Sequence, residues 1–447
     1  MSETMEWDSG AARHDADTEK DEYAEYYGKN VGVSNHAEGG GYLFRTDELI
    51  VASEDTEDVE SELTEMRPPV SHKRVRLSSR LDLLRLAPGG KPVCALVTEL
   101  RAKERTDHRP PYRVFPNHVL YGNSHGFVKG GPGDAPEPAA DALAAPPPSR
   151  PGTEDEDVVR VAVLDNGDFF KHSWLVSRVE KVRGMGTTVT TLEDPPDYGP
   201  KLGLYDGHGT FVTGVVLQHA PTAKAVVLEI LDARGQTTDT RIAEAIRLLP
   251  GNVKVVLLSA GGATHSDLGL PATEEALGEL WAKHPEVVVV APAGNYSSDI
   301  PCYPAAYKRV IAVAALGPDR GRAPFSNFGS WVDACAPGVK VRSTFVTYKG
   351  PIEPHADPVT HTDHAGDADG AATGGAKVPE ERDFKGWAYW SGTCFAAARV
   401  AGAIAQRIAD TGERPSEAAF RIVGDGQQRW SDGPCDMGVP VYPQSWT

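Results

Sequence analysis

The sequence predicts an α/β fold, a mostly parallel sheet with helices on both faces. Two observations carry this. Apolar, β-branched runs recur at 159–164, 225–231, 253–258, 287–291 and 310–315. They are nearly continuous rather than alternating, which marks strands buried on both faces. Between them lie stretches with helical spacing at 238–249 and 273–284, and small-residue helices are expected after His208 and Cys394. Strands alternating with helices are the pattern of a parallel sheet. Such a sheet collects functional groups at the carboxyl ends of its strands.

Along the chain, residues 1–70 are acidic, with Glu, Asp and Gly recurring without apolar periodicity, and are expected to be disordered. Residues 71–128 read as a small α/β module. Lys73-Arg74-Val75-Arg76-Leu77 suits a strand, 92–103 a helix with a basic end, and 112–121 a strand interrupted by Pro116. Residues 129–157, rich in Gly, Pro and Ala, read as a linker. Residues 158–447 carry the main domain, with a long insertion at 346–388.

At 447 residues the chain holds one large core plus extensions. A formal charge of −18 argues against nucleic-acid or anionic-membrane partners. Met1-Ser2-Glu3-Thr4-Met5-Glu6-Trp7 has neither a basic nor an apolar leader region, and no run of apolar residues reaches membrane-spanning length. Cys94, Cys302, Cys335, Cys394 and Cys435 are odd in number and widely spaced, without a metal-binding or disulfide pattern. A cytoplasmic, reducing location is the expectation, and the oligomeric state is left open.

Four segments carry chemistry. The first strand ends in Leu164-Asp165-Asn166-Gly167, and Asp206-Gly207-His208-Gly209-Thr210 opens a small-residue helix. Val290-Ala291-Pro292-Ala293-Gly294-Asn295 ends a valine strand, and Ser391-Gly392-Thr393-Cys394-Phe395-Ala396 opens a second small-residue helix. Singly, each has a structural explanation: a turn, a loop histidine, a left-handed turn, a tightly packed helix. Together, in the order Asp, His, Asn, nucleophile, they resemble the subtilisin-like (S8) serine peptidases over roughly residues 158–408. Leu258-Ser259-Ala260-Gly261-Gly262 and Phe325-Ser326-Asn327-Phe328-Gly329 are further points of similarity.

The resemblance implies peptide hydrolysis. His208 would be the general base, Asp165 would orient it, and residue 394 would be the nucleophile. Asn295 would donate to the oxyanion together with the Cys394 backbone N–H. Ser259, Ala260 and Gly261 would pair with an extended peptide by strand addition. Ala291, Pro292, Ala293 and Gly294 would wall the pocket for the residue before the scissile bond, and their small size favours a large apolar occupant. The expected partner is thus a peptide or protein substrate. The resemblance also places an inhibitory, folding-assisting prodomain where the 71–128 module lies.

Cys394 departs from the family, which has Ser there; a thiol beside His208 at a helix N-terminus is expected to be more reactive than a free cysteine. Sulfur is larger than oxygen, and misplacement near 1 Å can cost about a hundredfold. Three readings stay open: a working thiol nucleophile, a serine scaffold altered and weakened, or a thioester-forming ligase. A peptide-binding pseudoprotease competes with all three. Asn166, Phe211 and Ala398 are smaller departures that remove no required group. No cofactor is expected. Structural calcium is implied only by the resemblance, and the sequence shows no clear site for it. His355, His361, Asp363, His364, Asp367 and Asp369 within the insertion match no standard cation loop, so the insertion is read as a solvated loop and a candidate lid.

Overall fold

The computed structural model describes residues 30–34, 42–122 apart from 89, 104 and 106–108, 135–139, 157–166, 172, 174–181, 200–352 apart from 204, 233 and 266–268, and 381–442 apart from 425–427. The N-terminal module contains β1 (Val31–Ser34), β2 (Tyr42–Ala52), α1 (Thr56–Glu65), β3 (His72–Arg76), β4 (Leu81–Leu86), α2 (Val93–Ala102) and β5 (Val114–Tyr121). β6 (Glu137–Pro138) follows. The main domain runs through β7 (Arg160–Asp165), β8 (Val179–Lys181), α3 (His208–His219), β9 (Lys224–Glu229), β10 (Gln236–Thr238), α4 (Asp239–Arg247) and β11 (Val253–Leu258). It continues with α5 (Pro271–Lys283), β12 (Val288–Pro292), β13 (Val310–Leu316), β14 (Ala334–Pro337), β15 (Val341–Pro351), β16 (Glu381–Trp390), α6 (Thr393–Thr411) and α7 (Pro415–Val423). Three short strands, β17 (Ser431–Asp432), β18 (Cys435–Asp436) and β19 (Val439–Pro440), close it.

The main sheet has the order β19-β14-β13-β12-β11-β7-β9-β8. Every pairing in it is parallel. Its two faces build two cores, and β7 shows how. Val161 and Val163 pack with Phe211 of α3 and Phe395 of α6, while Ala162 and Leu164 pack with Ile242 of α4 and Leu277 of α5. All six β7 residues are buried, so the valine run has no polar alternation. The α/β fold read from the sequence is the fold observed.

The small-residue helices exist to approach closely. A Cβ on Gly214 would lie 2.1 Å from Thr344 Oγ1, and one on Gly402 would lie 2.7 Å from the Val216 carbonyl. α3 therefore sits against β15 on one side and α6 on the other. Ser343 and Thr344 of β15 donate their hydroxyls to the Phe211 and Thr210 carbonyls at 2.7 and 2.8 Å.

The structure corrects the sequence reading at three places. Part of the 1–70 segment expected to be disordered is folded: Tyr42–Ala52 is a central strand and Thr56–Glu65 a helix. The acidic residues misled because both faces of β2 are buried while its polar residues sit mid-strand. Leu49 and Val51 pack on α1 and α2; Ile50 packs with Ile242 of α4. Residues 1–29 lie outside the described residues. Second, the 129–157 linker contributes β6, which pairs with β16 through Pro138↔Ala388 and Glu137↔Tyr389, and Ala139 enters the core. Third, the ends of the 346–388 insertion belong to an antiparallel pair, β15 with β16, from Val341↔Trp390 to Pro351↔Glu381. Its six His and Asp residues lie outside the described residues.

The N-terminal module docks directly on the main domain. Its sheet, β10-β5-β2-β4-β3 with β1 on β2, recruits β10 from the main domain through Gln236↔Tyr121 and Thr238↔Val119. Asn117 Nδ2 donates to Thr240 Oγ1 at 3.1 Å, and the His265 N–H donates to His118 Nε2 at 2.9 Å. Tyr42 Oη lies 2.9 Å from His265 Nδ1.

Burial, then the neighbouring His265 and Arg101, hold the His118 imidazole down at about 3. His118 is therefore neutral when docked and binds a proton more readily when released. Its contribution to docking is present above the ordinary imidazole value and lost as pH falls from there toward 3. At pH 5 the penalty is about 2 kcal/mol. Acidification is expected to lower the Tm of the full chain and expose the module to proteolysis. His118→Gln keeps an acceptor without a titrating proton and should flatten that acid limb; an unchanged limb would remove His118 as its cause.

Candidate active site

β7 ends at Asp165, and Ser259 and Asn295 follow the carboxyl ends of β11 and β12, so one edge of the sheet presents all three. Asp165 Oδ1 accepts from His208 Nδ1 at 2.8 Å and from the Asn166 N–H at 2.7 Å. His208 is the first residue of α3, entered through Gly207 at φ 78°, where a Cβ would also lie 2.8 Å from Phe345 Cε2. Only glycine meets both demands.

Asn166, a departure from the family pattern, straps the two segments together. Its Oδ1 accepts from the Gly209 N–H at 2.7 Å, capping α3, and its Nδ2 donates to the Tyr205 carbonyl. A Cβ at Gly209 would lie 2.3 Å from the Asn166 carbonyl, so that glycine permits the close approach. No motif or spacing in the sequence marks this role.

Asp165, His208 and Cys394 are fully buried. Burial alone would lower the imidazole pKa, but the charge and hydrogen bond of Asp165, followed by Cys394, outweigh it and hold His208 above its ordinary value. His208 Nε2 has no hydrogen-bond partner of normal geometry among the described residues. The Cys394 thiol, its neighbour, is turned toward the Ser259 carbonyl at 3.8 Å. Ring contacts with Trp390 at 5.4 Å, Phe395 at 5.6 Å and Tyr205 at 6.0 Å fix the imidazole plane.

Asn295 is held from one side only. Its Oδ1 accepts from the Thr393 N–H at 3.0 Å and the Thr393 hydroxyl at 2.8 Å. Its buried Nδ2 has no partner among the described residues, an amide donor with nothing to donate to. The Thr393 hydroxyl in turn accepts from the Gly294 N–H at 3.3 Å. Asn327 braces the same loop, donating to the Ala293 carbonyl and accepting from Tyr296 and Ser298. Ser391 is occupied elsewhere: its Oγ accepts from the Lys340 N–H at 3.1 Å.

Ala291 and Pro292 close β12, and Ala293 and Gly294 lead on to Asn295. Ser259 and Ala260 are buried beside Cys394, and Gly261 is already paired. Tyr121 and Gly261 exchange backbone hydrogen bonds of 3.2 and 2.9 Å. The Gly122 N–H donates to the Gly235 carbonyl at 2.9 Å, and Tyr205 Oη donates to the Gly122 carbonyl at 2.6 Å. The end of β5 thus runs as an extended strand between β10 and Gly261.

Residues 156–417 match the model of the Subtilase family. The chain belongs to that family. It is 31% identical over 199 residues to thermitase of Thermoactinomyces vulgaris, a match covering 42% of this chain and 66% of thermitase. It is 34% identical over 195 residues to the thermophilic serine proteinase of Bacillus sp. (strain AK1), and 32% over 200 residues to subtilisin NAT of Bacillus subtilis subsp. natto. Those two matches span 45% and 48% of the relatives, so the chain covers about half to just under two thirds of the curated relatives named. A cold-adapted subtilisin-like serine proteinase aligns in structure over 65% of this chain and 90% of its own, with 21% identity and a TM-score of 0.47. Among the described residues, no three His, Cys, Asp or Glu side chains converge as metal ligands. No described helix is long and apolar enough to cross a membrane.

Proposed function

We propose that the chain is an endopeptidase that hydrolyses peptide bonds through an acyl-enzyme on Cys394, with its own N-terminal module lodged in the substrate cleft. The observation that carries this reading is a pair of buried groups around Cys394, His208 Nε2 and Asn295 Nδ2, neither with a hydrogen-bond partner of normal geometry among the described residues. An acceptor for the thiol proton and a donor for a carbonyl oxygen are what acyl transfer requires, and leaving both unmet costs stability unless a substrate meets them. The thiolate attacks the carbonyl carbon, and the oxyanion is held by Asn295 Nδ2 and the Cys394 N–H. His208 then returns the proton to the leaving amine. Water, deprotonated by His208, attacks the thioester and restores the thiol. Asp165 orients the imidazole and stabilises its cation.

The Tyr121–Gly261 pairing supports a prodomain-like role for the module, since substrate would add as a strand at the same place. The same pairing, with the full burial of Cys394, favours a second reading: a peptide-binding pseudoprotease that never turns over. Five free cysteines suit a reducing compartment.

Mass spectrometry of the purified chain and of Cys394→Ala separates these readings. A working enzyme releases an N-terminal fragment ending beyond Gly122, or carries an acyl adduct on Cys394, and the alanine form does neither. If both chains stay intact, and neither cleaves added peptides at any pH, the peptidase reading fails and the binding module stands.

A further inference from the structure

His208 stands where the backbone opposes its protonation. It is the first residue of α3, and the N-terminus of a helix carries partial positive charge. Gly207, just before the helix, has no side chain with which to cap it. The acceptor arrives instead from the end of β7. Buried Asn166 accepts the Gly209 N–H on its Oδ1 at 2.7 Å. The other end of the same amide donates to the Tyr205 carbonyl, which also accepts from the His208 N–H at 3.1 Å. One side chain thus holds the 205–209 turn on both sides of the histidine. A residue with a single hydroxyl there would carry donor and acceptor on one atom and could not span the turn. The Asn166 backbone N–H meanwhile fixes Asp165 Oδ1, the oxygen that accepts from His208 Nδ1. Residue 166 therefore bears on both members of the Asp165–His208 pair.

We propose that Asn166 is a positioning residue for the reaction: it locks the His208 turn onto Asp165 and offsets the helix start that would oppose an imidazolium, so that His208 can keep the proton a Cys394 thiolate gives up. Among the described residues, the titratable groups facing His208 are Asp165 of β7, Cys394 of α6 and Tyr205 of its own turn. Trp390 of β16 and Phe395 of α6 present uncharged rings. Asp206, two residues before His208, is turned to the Gly203 N–H at 2.7 Å. Asp165 thus supplies the charge that favours the imidazolium, and Asn166 supplies the geometry that keeps that charge in place. The inference rests on the peptidase reading for the use made of the proton, not for the geometry.

Two readouts on the full chain, Asn166→Ala and Asn166→Asp test it, with thermal melts setting a temperature at which each form is folded. The first needs no turnover. NMR of protein labelled with nitrogen-15 in its histidines follows the His208 ring through a pH titration, its resonances identified by their loss in His208→Ala. Asn166→Ala should move the His208 midpoint down by about half a pH unit, as the bond to Asp165 loosens and the helix start is uncapped. Asn166→Asp keeps the acceptor at Gly209 and adds a negative charge at the helix start, so its midpoint should move up. The second readout is turnover of one peptide. Asn166→Ala should lower kcat about tenfold to a hundredfold with KM little changed. A midpoint unmoved in Asn166→Ala, a midpoint that falls in Asn166→Asp, or an unchanged kcat overturns the proposal, and Asn166 is then a brace of the fold alone. If the midpoints move in opposite directions and no form cleaves, the peptidase reading fails while the positioning role stands.

Discussion

Cys394→Ser is expected to invert the pH dependence of turnover. The Asp165 carboxylate and Cys394 hold the His208 imidazole above its ordinary pKa. A thiol works as a thiolate beside an imidazolium, so the chain as it stands should be active below the raised His208 value and lose activity as pH rises through it. A hydroxyl is not ionised in the ground state and needs a neutral imidazole to take its proton. The serine form loses the Cys394 share of that rise and should therefore gain activity as pH rises through a lower value, one still held up by Asp165. Stability follows His208 in one direction only. A folded-state pKa raised above the unfolded value stabilises below the unfolded value, near 6.5, and that contribution is lost as pH climbs through the folded one. The serine form's rate and its stability should thus move oppositely at alkaline pH. His208→Ala should cost about 10²–10⁴-fold in either background. Initial rates from pH 5 to 10 on one peptide decide it. Parallel rising limbs for Cys and Ser would mean that the thiol reacts from its neutral form with His208 as an ordinary base.

The parts of this molecule legible in its sequence are those with one physical meaning. Five valine- and alanine-rich runs sit where both sheet faces are covered, and no other environment supports Val287-Val288-Val289-Val290 so easily. Gly207 and His208 stand out because the turn needs a positive φ immediately before an imidazole. What escaped was set by partners distant in sequence. β2 looks polar because Arg45, Asp47 and Glu48 lie mid-strand, while its apolar residues face two different layers. β6 is two residues long and exists only through Ala388 and Tyr389. The Asn166 strap and the Thr393 clamp join segments 43 and 98 residues apart. None leaves a periodicity or a spacing to read.

The Thr393 clamp carries the other large effect, because it makes a prediction about orientation separate from one about chemistry. Asn295→Ala removes the side-chain oxyanion donor and should lower kcat by about 10²–10³ with KM little changed, since the bond strengthens only as charge develops on the oxygen. Thr393 makes no such bond in the proposed mechanism. It fixes which end of the Asn295 amide faces the nucleophile, by two donors to Oδ1 at 3.0 and 2.8 Å. Thr393→Val keeps the volume and the backbone donor but loses the hydroxyl. The amide is then held at Oδ1 by the backbone donor alone, and kcat should fall, though less than for Asn295→Ala. Thr393→Ser restores the hydroxyl and should recover most of the loss. The double variant Thr393→Val with Asn295→Ala should be no worse than Asn295→Ala alone, because a clamp has nothing left to hold. Fully additive losses would mean that Thr393 acts on the reacting atoms itself or supports the fold independently. A thermal melt of each variant separates those two outcomes.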